Sequence, residues 1–314
     1  MVQTTTATSE VNDYFFVVKS ANVKTSSRGD RYLDMVLANA KEEIPAKLWD
    51  YKENTYEWLT SGMIVKVRGN EELWNDKKQF RVQRIRRVGP EDRLNMREIV
   101  PCAPYDGEDM FQKLYEKIES FQDEDLRKLT QAMFNREHEK LILCPAAVRL
   151  HHAMCGGLLY HTMTVAELCE GVCKVYPFVN RDLLLTGAIL HDLSKMDELC
   201  VEETGIASGY TVRGELIGHL VMGAIEVEKV ALELNISEEK RTLVQHMLIS
   251  HHGIPEYGCA VRPAFLEAEL LSMLDNMDAE VNQITAATET VEEGGFSAKL
   301  WAMDQRKFYR PHQN

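Results

Sequence analysis

The chain has 314 residues, 45% of them hydrophobic and 27% charged, and 49 acidic against 36 basic side chains give a formal net charge of -13. That length supports two ordinary domains with a sizeable core, and the composition is that of a soluble globular protein. The charge excludes a chain coated in basic residues, and no run approaches the roughly 20 apolar residues of a membrane span, so no membrane partner is expected.

The opening stretch, MVQTTTATSE, is polar and lacks an apolar signal core; a cytoplasmic location is expected. Seven cysteines without a C-x-x-C pair suit a reducing compartment, and Cys169 and Cys173, one helical turn apart, are expected to line a packed face. Residues 11–90 carry a net charge of +4, which leaves -17 for the rest. This asymmetry suggests two domains with different partners.

Residues 14–88 read as strands. YFFVVKSANVKT leads through the turn SSRGD to the alternating RYLDMVLANA, and EEIPAKLWD follows. YKENTYEWL is expected to form a short helix. MIVKVRGNEELW, the turn NDKK and QFRVQRIRRV complete the set, with Phe80, Val82 and Ile85 alternating with polar residues. Five strands with a helix between the third and fourth predict an OB-fold barrel over 11–90; an SH3-like barrel is the competitor. Such barrels bind single strands by stacking bases on aromatics and steering phosphates with basic residues. Tyr32, Trp49, Trp74 and Phe80 are the aromatic candidates; Arg28, Lys77, Lys78, Arg81 and Arg84 are the basic ones. Alternation puts half of each strand inside, so some of these aromatics belong to the core. Trp74, beside NDKK, and Arg28, in SSRGD, are the favoured contacts.

After VGPED the period changes to that of helices. EDMFQKLYEKIESF and EDLRKLTQAMFN form a helical linker region over 91–145. LLYHTMTVAELCEGVCKVY, RDLLLTGAILHDLSK, LIGHLVMGAIEVEKVALEL, EEKRTLVQHMLISHH and LEAELLSMLDNMDAEVNQI continue as an all-α bundle over 146–314. The basic, aromatic end, GGFSAKLWAMDQRKFYRPHQN, is expected to pack over that bundle.

Eight of the ten histidines lie between His151 and His252. A single histidine on an apolar helix face is ordinarily a hydrogen-bonded core residue. Six or seven on successive helices would each need a buried partner, and a metal ion supplies one at once. His191 and Asp192 are neighbours, so on a helix they point about 100° apart and can serve or bridge two ions. A histidine and aspartate set without thiolate suits Mn²⁺ or Fe²⁺ at least as well as Zn²⁺. Two ions about 3.5–4 Å apart can activate water and clamp a phosphate. Lys195, one turn after Asp192, could donate to a phosphate oxygen as charge grows there. His152 suits a phosphate contact or support for a ligand, His246 a structural role, and His151 an exposed position.

The ordered set His161, His191-Asp192, His219, His251-His252 and Asp275, with GGLLYHT around the first, resembles the HD-domain metal-dependent phosphohydrolases. Over about residues 13–311, including AKLWD, CPAAVRLHHAMCGGLLYH, LLTGAILHDLSK and FYRP, the chain resembles the YhaM-type 3′→5′ exoribonucleases. The resemblance implies two divalent ions, Mn²⁺ first, with Fe²⁺, Co²⁺ or Mg²⁺ as alternatives. One would be held by His161, His191, Asp192 and Asp275; the other would share Asp192 and take His219, His251 and His252. It implies hydrolysis of single-stranded RNA, with single-stranded DNA as a second substrate, to nucleoside 5′-monophosphates, Asp192 and Lys195 acting in catalysis. A homo-oligomer stays open. Two other readings stand beside this one: an HD phosphohydrolase of free nucleotides or cyclic dinucleotides with a regulatory barrel, and a strand-binding protein whose site is only structural.

Overall fold

A computed structural model describes residues 11–74, 77–148, 152–202 and 204–312. Its contacts divide the chain into two compact units, 1–102 with 202–206, and 103–201 with 207–314.

The first unit contains β1 (Asn12–Thr25), β2 (Arg31–Ala38), β3 (Glu43–Leu48), β4 (Ile64–Trp74) and β5 (Lys77–Arg87). They close in the order β1-β2-β3-β5-β4, with β3 and β5 parallel and the other pairs antiparallel. This is the expected OB-type barrel, and the parallel β3–β5 closure distinguishes it from the SH3-like alternative. Alternation fills the interior with Phe16, Val18, Leu37, Ile44, Val65, Val67 and Phe80. Closure needs strands that bend and approach closely. Gly69 supplies one such point. It sits at the register shift between β4 and β5, where an added Cβ would lie 2.2 Å from the Arg81 carbonyl oxygen.

The helix expected over YKENTYEWL does not form; the segment is a series of turns. Asn54 takes a left-handed φ of 58°, and Tyr51, Tyr56 and Trp58 pack against the barrel core. Nine residues are too few to offset helix nucleation when the aromatic contacts favour another path. After the barrel, α1 (Met96–Ile99) is a single turn.

The second unit contains α2 (Gly107–Glu119), α3 (Glu124–Phe134), α4 (His138–Leu141), α5 (Gly157–Val175), α6 (Arg181–Leu190) and α7 (Lys195–Glu198). A hairpin not foreseen from sequence, β6 (Leu199–Val201) with β7 (Ala207–Tyr210), precedes α8 (Val212–Glu233), α9 (Glu238–Ser250) and α10 (Leu266–Glu289). Its strands are too short to show a period of two.

Helix α6 is the axis of this unit. Every residue from Asp182 to Leu190 is buried, so it reads as apolar all round, as a central helix must. Asn180 caps its first turn through the Leu183 N–H (3.1 Å). The Asp182 carboxylate accepts the N–H groups of Gln122 (2.6 Å) and Asp123 (2.8 Å), which fixes α3 against it. Met110, Leu114, Leu126 and Leu129 from α2 and α3 join the same core as Leu184, Val227, Val244 and Leu271.

None of the described helices is long and apolar enough to cross a membrane. The last segment forms an antiparallel ribbon, Phe296 bridged to Tyr309 and Leu300 to Arg306. Arg310 ties it to the end of α10 by donating to the carbonyls of Glu289 and Val291, 2.7 Å each. Within the ribbon Ser297 and Met303 are buried, each 3% exposed.

Candidate metal centre

Five segments of the helical unit bring the predicted ligands together. His161 comes from α5, His191 and Asp192 from the turn that ends α6, His219 from α8, His251 and His252 from the end of α9, and Asp275 from α10. His191 and Asp192 are not mid-helix as expected. His191 caps α6, its N–H still bonded to the Gly187 carbonyl, and Asp192 begins a tight turn closed by the Lys195 N–H on its carbonyl. The turn lets both side chains face one point without following a helical spiral.

His161, His191, Asp192 and His251 are each at most 2% exposed, and His219 is 7% exposed. Asp192 stands between two groups. Its Oδ2 lies 3.5 Å from His161 Nε2 and 3.4 Å from His191 Nε2, with Asp275 Oδ1 3.1 Å from His161 Nε2. Its Oδ1 lies 3.3 Å from His219 Nε2 and 3.6 Å from His251 Nε2. His252 completes the second group, its ligand atom within 4.8 Å of the others.

The other ring nitrogens explain the orientation. Each Nδ1 faces a group that can only accept, so each must donate. His161 donates to Asp278 (2.7 Å), His191 to the Ala188 carbonyl (2.9 Å), and His219 to Glu198 (2.9 Å). His251 donates to the Leu248 carbonyl (2.8 Å) and His252 to the Tyr257 carbonyl (2.8 Å). Five imidazoles are thereby oriented so that Nε2 is the atom each offers to a cation, once any proton there is displaced. His161 and His191 even point these atoms at each other, 3.1 Å apart. Asp192 Oδ1, His219 Nε2 and His251 Nε2 are buried without a hydrogen-bond partner. Such atoms are costly to bury unpaired. Inward acceptors, two carboxylates and no thiolate form a donor set that fits a divalent cation.

The electrostatics state the same demand. Burial pushes the His191 imidazole down, but the Asp192 charge overrides this and raises it to about 10. His161 and His219 are also raised against burial, through Asp275 and Asp278 for the first and Asp192 and Glu198 for the second. Burial foremost, with the neighbouring His252 and His191 rings, takes His251 down to about 3 against the pull of Asp192. Burial works to raise Asp192, but Lys195 and His191 hold its carboxyl well below the usual range. Lys195 Nζ bonds Asp192 Oδ2 at 2.7 Å, so the carboxylate is its immediate partner.

Two supporting carboxylates were not singled out from sequence. Asp278 lies one turn beyond Asp275 on α10, and that spacing was the available signal. Its Oδ2 accepts from both His161 and His152 Nε2 (2.8 Å). Of the two roles weighed for His152, this places it behind His161, its side chain 1% exposed, rather than at a substrate surface. Glu198, three residues after Lys195, takes both the ring N–H and the backbone N–H of His219. His246 accepts the Ala264 N–H (3.0 Å) and lies against Phe265, a structural position. His151 lies outside the described residues.

In the barrel, Tyr32 and Trp49 stack with ring centroids 4.5 Å apart, and Lys47 Nζ sits 5.7 and 5.6 Å from the two centroids. Trp49 is 44% exposed. Arg81 is the register partner of Lys47 across the β3–β5 pair and is exposed, as are Arg28 and Lys77. Lys78 is engaged by Glu42 (2.8 Å) and Glu71 (3.2 Å). Phe80 is fully buried and cannot stack on a base. The Trp74 side chain lies outside the described residues.

The HD domain family model matches residues 158–280. A 3'-5' exoribonuclease YhaM from Oceanobacillus iheyensis is 35% identical over 301 residues, covering 96% of this chain and 94% of the relative. Another of that name from a Geobacillus species is 35% identical, covering 95% of this chain and 91% of the relative. Among solved structures, one described as the second OB-fold domain of replication protein A from Methanococcus maripaludis matches 27% of this chain and 89% of its own length. Its identity is 18% and its TM-score 0.21. By its near full-length likeness to those relatives, the chain belongs to the YhaM family of 3'-5' exoribonucleases, with an HD domain in its helical unit.

Proposed function

We propose that the chain is a divalent-metal-dependent 3′→5′ exoribonuclease that hydrolyses single-stranded RNA to nucleoside 5′-monophosphates. The observation that carries this reading is the convergence on Asp192, whose two oxygens face separate groups of imidazoles with Nε2 turned inward. Two ions suit that division. His161, His191, Asp192 and Asp275 would hold one; Asp192, His219, His251 and His252 would hold the other. The mixed nitrogen and oxygen donors favour Mn²⁺, with Fe²⁺, Co²⁺ or Mg²⁺ as alternatives. When bound, such a pair supplies Lewis-acid charge and activates water for in-line attack on phosphate.

The chain's own residues supply the rest. Lys195 holds Asp192 and adds a positive charge beside the site, where it favours a phosphate gaining negative charge. Glu198 and Asp278 fix the tautomers of His219 and His161. Residues 11–90 hold the strand, residues 91–145 join the domains and residues 146–314 cut it. Tyr32 and Trp49 offer a stacking platform, and Arg28, Lys47, Lys77 and Arg81 offer phosphate contacts. The side chain of Trp74 is a further candidate. Stacking does not read the 2′-hydroxyl, so single-stranded DNA is a second substrate. We place this activity in the cytoplasm.

The test is incubation of the purified protein with Mn²⁺ and, separately, 5′-labelled RNA, free nucleotides and cyclic dinucleotides. Stepwise shortening of the RNA from the unlabelled end with release of 5′-mononucleotides is expected. Turnover of the small nucleotides alone would transfer the site to nucleotide hydrolysis and make the barrel regulatory.

A further inference from the structure

The C-terminal ribbon is more elaborate than a segment that only covers the bundle. Three of its aromatics face water: Phe296 is 63% exposed, Trp301 81% and Tyr309 47%. Apolar burial therefore does not account for them. Yet the ribbon is built firmly. Ser297 N–H bonds the Phe308 carbonyl (2.8 Å), Leu300 N–H the Arg306 carbonyl (3.0 Å), and Arg310 N–H the Gly295 carbonyl (2.9 Å). The Arg310 guanidinium anchors the base on α10. Phe296 and Tyr309 rings meet at 5.2 Å on the same side.

Charge adds a second observation. Residues 294–310 carry Lys299, Arg306, Lys307 and Arg310 against Asp304 alone, a net of +3 in a chain of net -13. Lys299, Arg306 and Lys307 are exposed, and among the described residues none has an acidic partner within ion-pair distance. Arg306 is held within the ribbon by the Met303 carbonyl (3.2 Å) and the Phe308 ring, which leaves Lys299 and Lys307 as the outward cations. Exposed aromatics beside such cations are the elements with which proteins hold single strands without reading sequence.

We propose that this ribbon is a second strand-binding platform, which takes the single-stranded RNA substrate on the 5′ side of the bond being cut. The proposal rests on the exoribonuclease reading above. Helix α10 gives the spacing, because Asp275 and Asp278 lie on the helix that ends at the ribbon. From Asp278 to Thr290 the axis advances about 18 Å at 1.5 Å per residue. A stacked strand at about 3.4 Å per nucleotide covers that in about five nucleotides. A dinucleotide would occupy the metal centre without reaching the ribbon. A strand longer than about six would gain from both.

The experiment uses the full chain with Trp301→Ala and with the pair Lys299→Gln, Lys307→Gln. KM is measured with Mn²⁺ for RNA of 2 to 20 nucleotides, and sedimentation records the assembly state. The KM advantage of the 20-mer over the dinucleotide should shrink about ten-fold in Trp301→Ala, an effect in the range of one stacked base. The paired lysine variant should also lower the log–log salt slope of binding by about 1.4, two phosphate contacts on a single strand. Binding of a labelled 20-mer in EDTA makes the same comparison without turnover, so failure of the exoribonuclease reading and failure of the ribbon are seen separately. A length advantage equal to that of the unaltered chain would overturn the proposal. So would a loss that accompanies altered sedimentation, which would make the ribbon a contact between copies.

Discussion

Asp192 connects the two halves of the candidate centre because its Oδ1 and Oδ2 face different imidazoles. Asp192→Asn removes a shared anion while keeping the shape. It should abolish hydrolysis and lower bound metal with an unchanged circular dichroism spectrum, and near-normal turnover with Mn²⁺ would dismiss the dinuclear reading. Glu198 tests the support of a ligand rather than the ligand itself. Glu198→Ala frees the His219 ring and should weaken metal affinity by about 10–100-fold, as measured by titration calorimetry; unchanged affinity would show that His219 needs no such clamp. Loading should also depend on pH. In the metal-free fold His161, His191 and His219 are raised, so they hold protons to higher pH than free imidazole. A cation must displace those protons, so metal affinity should fall as pH falls. Competition assays from alkaline to mildly acid pH read this directly, and a flat profile would contradict it. At this scale the ligand residues were visible as spaced histidines. Glu198 was not, since nothing in its spacing tells which imidazole it will meet.

Among the elements, α8 shows how a backbone conformation sets a ligand. Gly218 has φ 75° and ψ 157°, a break within the helix. The following residue turns both its N–H and its ring to Glu198. A Cβ at Gly218 would have room, its nearest neighbour being 3.8 Å away, so the objection to a side chain is conformational. Gly218→Ala should cost about 1–3 kcal/mol of stability and weaken metal binding. Thermal unfolding with and without Mn²⁺ measures both, and a variant equal to the parent would show that the kink is incidental. In the barrel unit, Asp92 joins Arg86 (2.6 Å) and Lys66 (3.2 Å) and accepts the Gly89 N–H (2.9 Å). Arg86 foremost holds its carboxyl well below the usual carboxylate range. A folded-state pKa that is depressed gives stability above the unfolded value, lost as pH falls through the folded one. Asp92→Asn should therefore lower Tm near neutral pH, and the gap to the parent should narrow only below about pH 4. A gap independent of pH would rule out this linkage. The periodicity of α8 was legible, but its break was not, because a glycine inside a helical pattern does not reveal its own φ.

For the whole molecule, each unit carries its own hydrophobic cluster, one inside the barrel and one around α6. The proposed division of labour follows: the platform of Tyr32 and Trp49 holds the strand, and the histidine cluster cuts it. Trp49→Ala should remove about 1–3 kcal/mol of binding to a long strand, read as a raised KM. KM for a dinucleotide should change much less. Equal changes for both substrates, or none for either, would leave the barrel without a role in gripping RNA.

Two kinds of information separate along this chain. Alternation over β4 and β5, the three-to-four spacing of the helices and the order of the metal-site candidates are local, so the sequence by itself determined a barrel followed by a histidine-bearing bundle. Partner choice is not local. Phe80 stands in β5 and Trp49 directly follows β3, yet one fills the core and the other stacks outside on Tyr32. That outcome depends on barrel closure, which sets the inner face of each strand. Likewise His152 and His161 meet only at Asp278, more than a hundred residues away. Packing of α5 against α10 made that pairing, and with it the tautomer that turns His161 Nε2 inward.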